Sequence, residues 1–211
     1  MTLAMQDPRS ARRAATAVVA VAATAITAAA ARTRRRPPTA VGPTPLGALT
    51  RGVAAGVVGT VAFDVWLYLQ YRRERGTEPL PDWEFSADVT GWDDAPAPAQ
   101  VGRRIIEGLF QTRLPDERAA SLNNIAHWAY ALSGATAYGL LAGSLKHPRA
   151  AYGLLLGAGM WLSGYVILPP LGLYKRITEY DAKTLGKDLA AHLVYGTTTA
   201  TVFAGLVRRR G

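Results

Sequence analysis

The sequence has 211 residues, of which 49% are hydrophobic and 18% are charged, with a formal net charge of +9 and no cysteine. The lack of cysteine excludes disulfide bonds, thiolate catalysis and cysteine-ligated metal sites. The positive charge does not indicate a nucleic-acid partner, because the basic residues form short clusters beside long apolar runs instead of alternating with aromatic residues. Such clusters are typical of segments that flank membrane helices and contact anionic lipid.

Residues 1–45 differ in composition from the rest of the chain. Two arginines precede residues 14–31, which contain only Ala, Thr, Val and Ile, and four further arginines and a proline-rich linker follow. This order is typical of a signal peptide or signal anchor. Alanine gains little from transfer into lipid, so a fifth, Ala-rich spanning helix, an interfacial helix and a translation start placed too far upstream are all open interpretations.

Four long runs with few charges indicate an all-α fold embedded in a membrane. Residues 119–145, 150–174 and 189–207 contain no Asp, Glu, Lys or Arg, and residues 52–71 contain only Asp64. About 20 apolar residues suffice to cross a hydrocarbon core about 30 Å thick. A soluble helical bundle with apolar core helices is the alternative to a membrane bundle. The favoured interpretation is four transmembrane helices, at residues 50–71, 122–145, 150–173 and 189–207.

A polar segment, residues 72–118, separates the first two predicted spans and contains ten acidic residues, five prolines, Trp83 and Trp92. Within it, residues 99–114 are predicted to form an amphipathic helix, because apolar side chains recur there at helical spacing. The apolar positions are Val101, Ile105, Ile106, Leu109 and Phe110. Such a helix caps the bundle or lies at the membrane surface, and binding a partner protein is the alternative.

The chain is predicted to contain two similar halves, residues 46–145 and 146–211, with two helices each. A pattern of His-x-x-Tyr-small-x-x-small-Ala-x-x-aromatic begins at His127 and again at His192. The preceding spans also align, Gly52 with Gly153, Gly56 with Gly157 and Asp64 with Tyr165. Two such halves would form parallel repeats, and chance similarity between Gly- and Ala-rich helices is the alternative.

Glycines spaced four residues apart predict faces where helices approach closely within lipid. These pairs are Gly52/Gly56, Gly139/Gly143 and Gly153/Gly157. The faces would meet inside one bundle, against a membrane-protein partner, or between copies in a homo-oligomer.

A polar cluster is predicted on one side of the membrane, because successive spans alternate in direction. The candidate site residues are Asp64, His127, His192, Tyr130, Tyr195, Tyr165, Asn123 and Asp188. Ionisable groups at membrane depth are costly and usually face the interior of a bundle. Two histidines at matched positions facing one aspartate therefore indicate a coupled site.

Three functions compete for this cluster. In the favoured one, a hydrogen-bonded network locks the helix packing and the chain is a structural or interaction component of the membrane. In the second, the cluster carries protons or a small ion, since histidine changes charge near neutral pH. In the third, Asp64, His127 and His192 hold zinc or non-haem iron in a membrane-embedded metal-dependent enzyme. An enzyme is the least favoured, because the sequence contains no nucleophile elbow, phosphate-binding glycine loop or two-histidine zinc helix motif.

Three features carry a resemblance to a known family: the Gly-rich first span with its acidic residue, Ala-Pro-Ala-Pro-Ala-Gln-Val-Gly at residues 95–102, and His-Leu-Val-Tyr-Gly at residues 192–196. They resemble small inner-membrane proteins of high-GC bacteria with the layout of the YagU-like four-helix family, over residues 46–207. The resemblance implies a multi-pass protein of the bacterial plasma membrane and no catalytic residues. The positive-inside rule then predicts that the C-terminus and residues 32–51 are cytoplasmic.

Overall fold

The computed structural model describes residues 42–86, 88–145 and 147–208, so the segment at residues 14–31 lies outside the described part. Every regular element within these ranges is helical, and the predicted all-α class is confirmed. The α-helices are α1 (Pro45–Arg73), α2 (Leu80–Glu84), α3 (Ala97–Phe110), α4 (Ala119–Gly143), α5 (Tyr152–Ile167) and α6 (Ala182–Arg208). Short 3-10 helices, Asp116–Arg118 and Ile177–Glu179, precede α4 and α6.

Two of these helices, α1 and α6, are long and apolar enough to cross a membrane. They have 29 and 27 residues. At about 1.5 Å per residue, each exceeds a hydrocarbon core about 30 Å thick. α4 has 25 uncharged residues, but Asn123, Asn124 and His127 make its first turns polar. The finding gives weak support for membrane association, and the four predicted spans remain a prediction.

The third predicted span, residues 150–173, forms a shorter helix than predicted. α5 has 16 residues, which is about 24 Å at a rise of about 1.5 Å per residue. It ends there because Pro169 and Pro170 lack N–H donors and Pro169 restricts the backbone of Leu168. A turn follows, in which the Leu173 N–H donates to the Leu168 carbonyl at 3.1 Å.

Both ends of α1 are defined by local chemistry. Thr44 Oγ1 accepts a hydrogen bond from the Gly47 N–H at 3.1 Å, and Pro45 occupies the first helical position. The helix ends after Arg73, and Arg75 then takes a φ of +70°. Arg72 and Arg73 in the last turn are favourable beside the negative end of the helix dipole.

α1 lies at the centre of the bundle, between α4 and α6. α5 packs on α6 and α3 packs on α4, so the helices follow the order α3, α4, α1, α6, α5. The interior is filled mostly by Ala, Gly and Thr, and Phe203 is the largest fully buried side chain. Small residues let the helix backbones approach closely, which favours association in lipid.

Glycines bring α1 and α4 into backbone contact. A Cβ atom at Gly52 would lie 2.7 Å from the Ala135 carbonyl oxygen, and one at Gly139 would lie 2.7 Å from Gly52 Cα. At Gly143, a Cβ would lie 2.7 Å from the Ala48 side chain. These predicted packing faces therefore meet inside one chain.

α5 and α6 also pack through glycines, but in a different register. Gly153 faces the backbone of Gly196, and Gly157 faces the backbone of His192. His192 thus lies beside a glycine of α5, whereas its sequence counterpart His127 lies beside the acidic Asp64. Each half is a pair of helices packed through glycines, but α5 meets α6 in a different register from that in which α1 meets α4. The internal repeat stays a prediction from the sequence.

The predicted amphipathic helix forms as α3 and ends before residue 114, because Gln111 takes a φ of +50°. It packs on α4 through Ala99 and Gly102, and a Cβ at Gly102 would lie 2.9 Å from the Leu122 side chain. Three of its large apolar side chains are instead exposed: Ile105, Leu109 and Phe110. The apolar surface of α3 is therefore divided between the bundle and its surroundings.

The polar segment between α1 and α4 folds back onto α4. Trp92 is 5% exposed and donates its Nε1–H to the Leu114 carbonyl at 3.0 Å. Gln100 Nε2 donates to the Trp92 carbonyl at 2.5 Å, and the Arg103 guanidinium lies 4.8 Å from the Trp92 ring centroid. Trp92 also packs in a buried cluster with Ala119 and Leu122 of α4, which holds the segment against one end of the bundle.

Candidate functional site

The site is built around an aspartate and a histidine on neighbouring antiparallel helices. Asp64 lies in the last third of α1, and His127 lies in the first third of α4. His127 Nε2 is 2.9 Å from Asp64 Oδ1. An ionised carboxylate only accepts hydrogen bonds, so Nε2 carries a proton when Asp64 is ionised. The predicted proximity of these two residues is present in the structure.

Asp64 has a second oxygen with no partner. The residue is 8% exposed, and its Oδ2 is buried without a hydrogen bond to any described residue. Asn123, one turn before His127, has a buried Oδ1 that also accepts no hydrogen bond from any described residue. A buried acceptor without a donor costs roughly 1–3 kcal/mol. Two such atoms on adjacent helices favour a ligand that brings hydrogen-bond donors.

Asp64, Asn123 and His127 border a cavity of about 420 Å³ between the end of the bundle and the folded polar segment. Neither Lys nor Arg lines the described part of this cavity. Six carboxylic acids line it: Asp64, Glu78, Asp82, Glu84, Asp88 and Asp94. A concave surface lined by one sign of charge concentrates ions of the opposite sign, so this cavity favours cations.

Hydrogen bonds attach one wall of the cavity to α4. Asn124 Nδ2 donates to the Glu84 carbonyl at 2.9 Å, and Trp128 Nε1 donates to Glu84 Oε1 at 3.4 Å. Asn123 Nδ2 donates to Ser86 Oγ at 2.9 Å. These three bonds position α2 and its following turn over the first turns of α4.

The environment of Glu84 changes its acidity. Burial raises the pKa of this carboxyl above its ordinary value, and the negative charge of Asp64 raises it further. Hydrogen bonds from Trp128 and Asn124 and the proximity of His127 act in the opposite direction but do not cancel these effects. Glu84 therefore takes up a proton at a higher pH than an exposed glutamate does.

Aromatic rings form another wall of the cavity. The Trp83 ring centroid lies 5.4 Å from that of Tyr68 and 6.2 Å from that of Tyr71. The Tyr71 hydroxyl accepts hydrogen bonds from the Thr77 and Glu78 N–H groups, at 3.2 and 3.1 Å. Trp83 and Tyr71 both line the cavity. The wall thus provides ring faces beside the carboxylates.

His192 belongs to a second polar group instead of joining Asp64. Its Nδ1 lies 2.9 Å from the Asp188 carbonyl and 3.3 Å from Asp188 Oδ1, one turn earlier on α6. The Tyr165 hydroxyl donates to Asp188 Oδ2 at 2.9 Å. The Phe63 ring contacts both histidines, with its centroid 5.6 Å from the His127 ring and 5.0 Å from the His192 ring.

The predicted metal set, Asp64, His127 and His192, is therefore not assembled. No group of three or more His, Asp or Glu side chains in the described residues is arranged to hold a metal ion. His192 instead contacts Asp188 one turn earlier on its own helix, and the ring that it contacts on α1 is that of Phe63, the residue before Asp64. The three residues predicted to ligate a metal in a membrane-embedded enzyme therefore do not form one site in the described structure.

The two remaining tyrosines connect helices through backbone carbonyls. Tyr195 donates to the Ala131 carbonyl at 2.5 Å, and Tyr130 donates to the Met160 carbonyl at 3.0 Å and contacts Ser163. Both border a small cavity of about 50 Å³ that also contacts the two histidine rings. Their hydrogen bonds link α4 to α6 and α4 to α5.

Sequence reasoning missed most of the cavity's acidic wall. Asp82, Glu84 and Asp88 were recognisable only as part of an acidic segment, because nothing in their spacing shows that the segment folds back onto α4. The tryptophans of the segment were the available signal, since Trp83 lies next to Asp82 and Glu84 in sequence.

The comparisons with known proteins add no assignment to this geometry. No protein-family model, no curated protein and no solved structure matches the chain.

Proposed function

We propose that the chain is a multi-pass membrane protein in which α1, α4, α5 and α6 cross the bacterial plasma membrane. Large apolar side chains on three of these helices point outward, and they would be poorly placed in water. Examples are Val57 on α1, Leu141 on α4 and Leu155 on α5, which are 39%, 72% and 75% exposed. Lipid contact gives these side chains an apolar environment without further burial.

The short length of α5 is compatible with a span. Its 16 helical residues leave a mismatch of about 6 Å against a core about 30 Å thick. Leu168, Leu171 and Leu173 in the following turn are apolar and extend the segment toward the interface. Bilayers absorb such mismatches at a cost of fractions of a kcal/mol per Å.

We further propose that this membrane protein binds a ligand in the acidic cavity at the end of the bundle. The observation that carries this proposal is Asp64 at the inner end of the cavity, with one carboxylate oxygen bonded to His127 and the other unpartnered. Farther along α1, Gly59 contacts Thr199 and Tyr195, and Gly52 contacts Ala135. Because α1 is closely packed here, a ligand would enter and leave the cavity from the same side. This favours ligand binding over transport across the membrane.

Proton or small-ion translocation is the second candidate. It is favoured by the two carboxylate–histidine groups and the cavity of about 50 Å³ that contacts both rings. Histidine pairs of this kind suit proton transfer. Reconstituted vesicles separate the two functions, because passage would carry protons or a small cation across the bilayer and binding alone would not.

Single introduced cysteines test the membrane arrangement cleanly, because the chain has none of its own. Val57→Cys, Ala137→Cys and Leu155→Cys place a thiol at exposed sites on three helices. We expect all three to resist a membrane-impermeant maleimide, whereas Asp93→Cys in the polar segment reacts in intact cells. Reaction of the helix thiols at the rate of Asp93→Cys would show a soluble bundle instead.

A further inference from the structure

The acidic cavity has a strong charge imbalance. Six carboxylic acids line it, and the pairing of Asp64 with His127 is the one ion pair that the described residues give to any of them. Two cations of this part of the chain are paired with other carboxylates, Arg103 with Glu107 and Lys187 with Glu74, and Arg72 donates to the Glu78 carbonyl. Bringing carboxylates together without counterions is unfavourable, so a cationic ligand would relieve their repulsion.

The size of the cavity indicates an organic cation. Its volume of about 420 Å³ is far above the roughly 30 Å³ that a water molecule occupies in the liquid, and lies in the range of small-molecule sites. No described group of three or more His, Asp or Glu side chains has the arrangement of a metal site. The carboxylates are distributed along the walls rather than gathered on one point.

The unpartnered acceptors define the chemistry of the cationic group. Asp64 is 8% exposed as a residue and 11% exposed in its side chain, and its Oδ2 and the Asn123 Oδ1 accept no hydrogen bond from any described residue. A primary ammonium brings three N–H donors, whereas a quaternary ammonium brings none. These atoms therefore favour a primary amine in its protonated form.

The rest of the cavity suits an aliphatic chain with a second positive end. Trp83 and Tyr71 line the cavity, and aromatic rings favour methylene groups and cations. Asp82, Asp88 and Asp94 are exposed and lie nearer the solvent than Asp64 does. A ligand with ammonium groups at both ends would meet carboxylates at each end.

We propose that the cavity binds short aliphatic amines, diamines in preference to monoamines, with one ammonium group at the Asp64 end of the cavity and the chain along Trp83. This inference deepens the proposed binding function and needs no assumption about four membrane spans. The same ammonium chemistry occurs in ethanolamine lipid headgroups, but their phosphate would lie among six acidic side chains and be repelled. We therefore assign the site to a free amine.

The test is calorimetric titration of the purified full chain in detergent with 1,4-diaminobutane. Butylamine, tetramethylammonium, potassium and 1,4-butanediol are the comparison ligands. We expect saturable binding of the diamine, weaker binding of butylamine, and no binding of the quaternary ion or the diol. Binding should weaken as salt is added, because the contacts at the solvent side are screened.

Variants locate the site. Asp64→Asn should weaken diamine binding about tenfold or more, since one close charge contact worth about 1.4 kcal/mol corresponds to that factor. Asp82 is exposed and makes no described hydrogen bond, so Asp82→Asn should leave the fold intact and weaken binding about twofold to threefold. Glu117→Gln removes an exposed acid outside the cavity and should not change binding.

Each result decides the proposal. Absence of diamine binding in the unaltered chain overturns it, and so does equal binding of diamine, tetramethylammonium and potassium, which would be general charge attraction. Competition by phosphatidylethanolamine vesicles without binding of the free amine would overturn the free-amine assignment and point to a lipid headgroup.

If Asp64→Asn fails to fold, unchanged binding in Asp82→Asn and Trp83→Leu rejects the site. A negative result with the cysteines still protected would leave the membrane arrangement standing.

Discussion

At the level of single residues, burial makes the contact between Asp64 and His127 expensive to break. Asp64→Ala or His127→Ala should each lower the free energy of unfolding by roughly 1–3 kcal/mol, because the remaining partner loses its hydrogen bond. The double variant should lose less than the sum of the two, since the second change removes a group that is already unsatisfied. Denaturation of the detergent-solubilised variants measures this coupling.

A matched pair controls that measurement. His127→Ala combined with Asp188→Ala should show additive losses, because the described side-chain partners of Asp188 are His192 and Tyr165 and do not include His127. Additive losses in the Asp64 and His127 pair itself would contradict the contact. Strong coupling between His127 and Asp188 would instead indicate one continuous network through both groups.

Glu84 gives the site a dependence on pH. Its pKa in the folded protein is raised by burial and then by Asp64, so folding favours the protonated carboxyl. The stability that it contributes is fully present below its ordinary pKa of 4.5 and is lost as pH rises through the raised value. Glu84→Gln should therefore melt at a higher temperature than the unaltered protein above that value, with the difference shrinking toward acidic pH.

Melting curves recorded from about pH 4 to about pH 8 test this dependence. Glutamine keeps an oxygen that accepts from Trp128, so the substitution removes the charge and preserves that contact. Glu117→Gln, outside the cavity, controls for the loss of one negative charge. A melting difference for Glu84→Gln that stays constant over the whole pH range would mean that its carboxyl is not the group responsible.

At the level of the helices, backbone contact between α5 and α6 depends on particular glycines. Gly157→Ala should destabilise the protein by about 1–3 kcal/mol, because the new methyl group meets the backbone of His192, which cannot rotate away. Gly159 lies on the same helix with no atom near its Cβ position. Gly159→Ala should be neutral or stabilising by up to about 1 kcal/mol, through the higher helix propensity of alanine.

The comparison of these two glycines isolates packing from propensity, since both changes add one methyl group to α5. Melting of the two variants in the same detergent measures the difference. Equal effects would show that α5 does not approach α6 through Gly157. A loss confined to Gly157→Ala would support the observed register, in which His192 lies beside a glycine and away from Asp64.

At the level of the whole molecule, the central position of α1 explains why the site forms where it does. α1 contacts both α4 and α6, so a polar residue on its inner face meets both helices that carry histidines. The pairing of Asp64 with one of them follows from the register of α4, and Phe63 contacts the other. The folded polar segment then encloses the open end of the bundle and supplies most of the cavity's carboxylates.

Much of the architecture was predictable because helices are determined by nearby residues. Uncharged runs predicted the positions of α1, α4, α5 and α6, and apolar spacing predicted α3, since helical hydrogen bonds close within one turn. The glycine pairs predicted close packing for the same reason, because a missing side chain is visible in the sequence. The contact between Asp64 and His127 followed from alternating helix direction and a shared distance from the helix ends.

Only the tertiary structure decided which polar groups meet. The packing of α1 on α6 sets Phe63 against His192 and Gly59 against Tyr195, and such a register depends on side-chain fit between helices far apart in sequence. The cavity depends on the fold of residues 74–118, which Trp92 holds through its contacts with Leu114 and Gln100. Such non-local contacts leave no periodic pattern, so the sequence alone determined the helices and one polar pair, while the packing of the chain against itself decided the site.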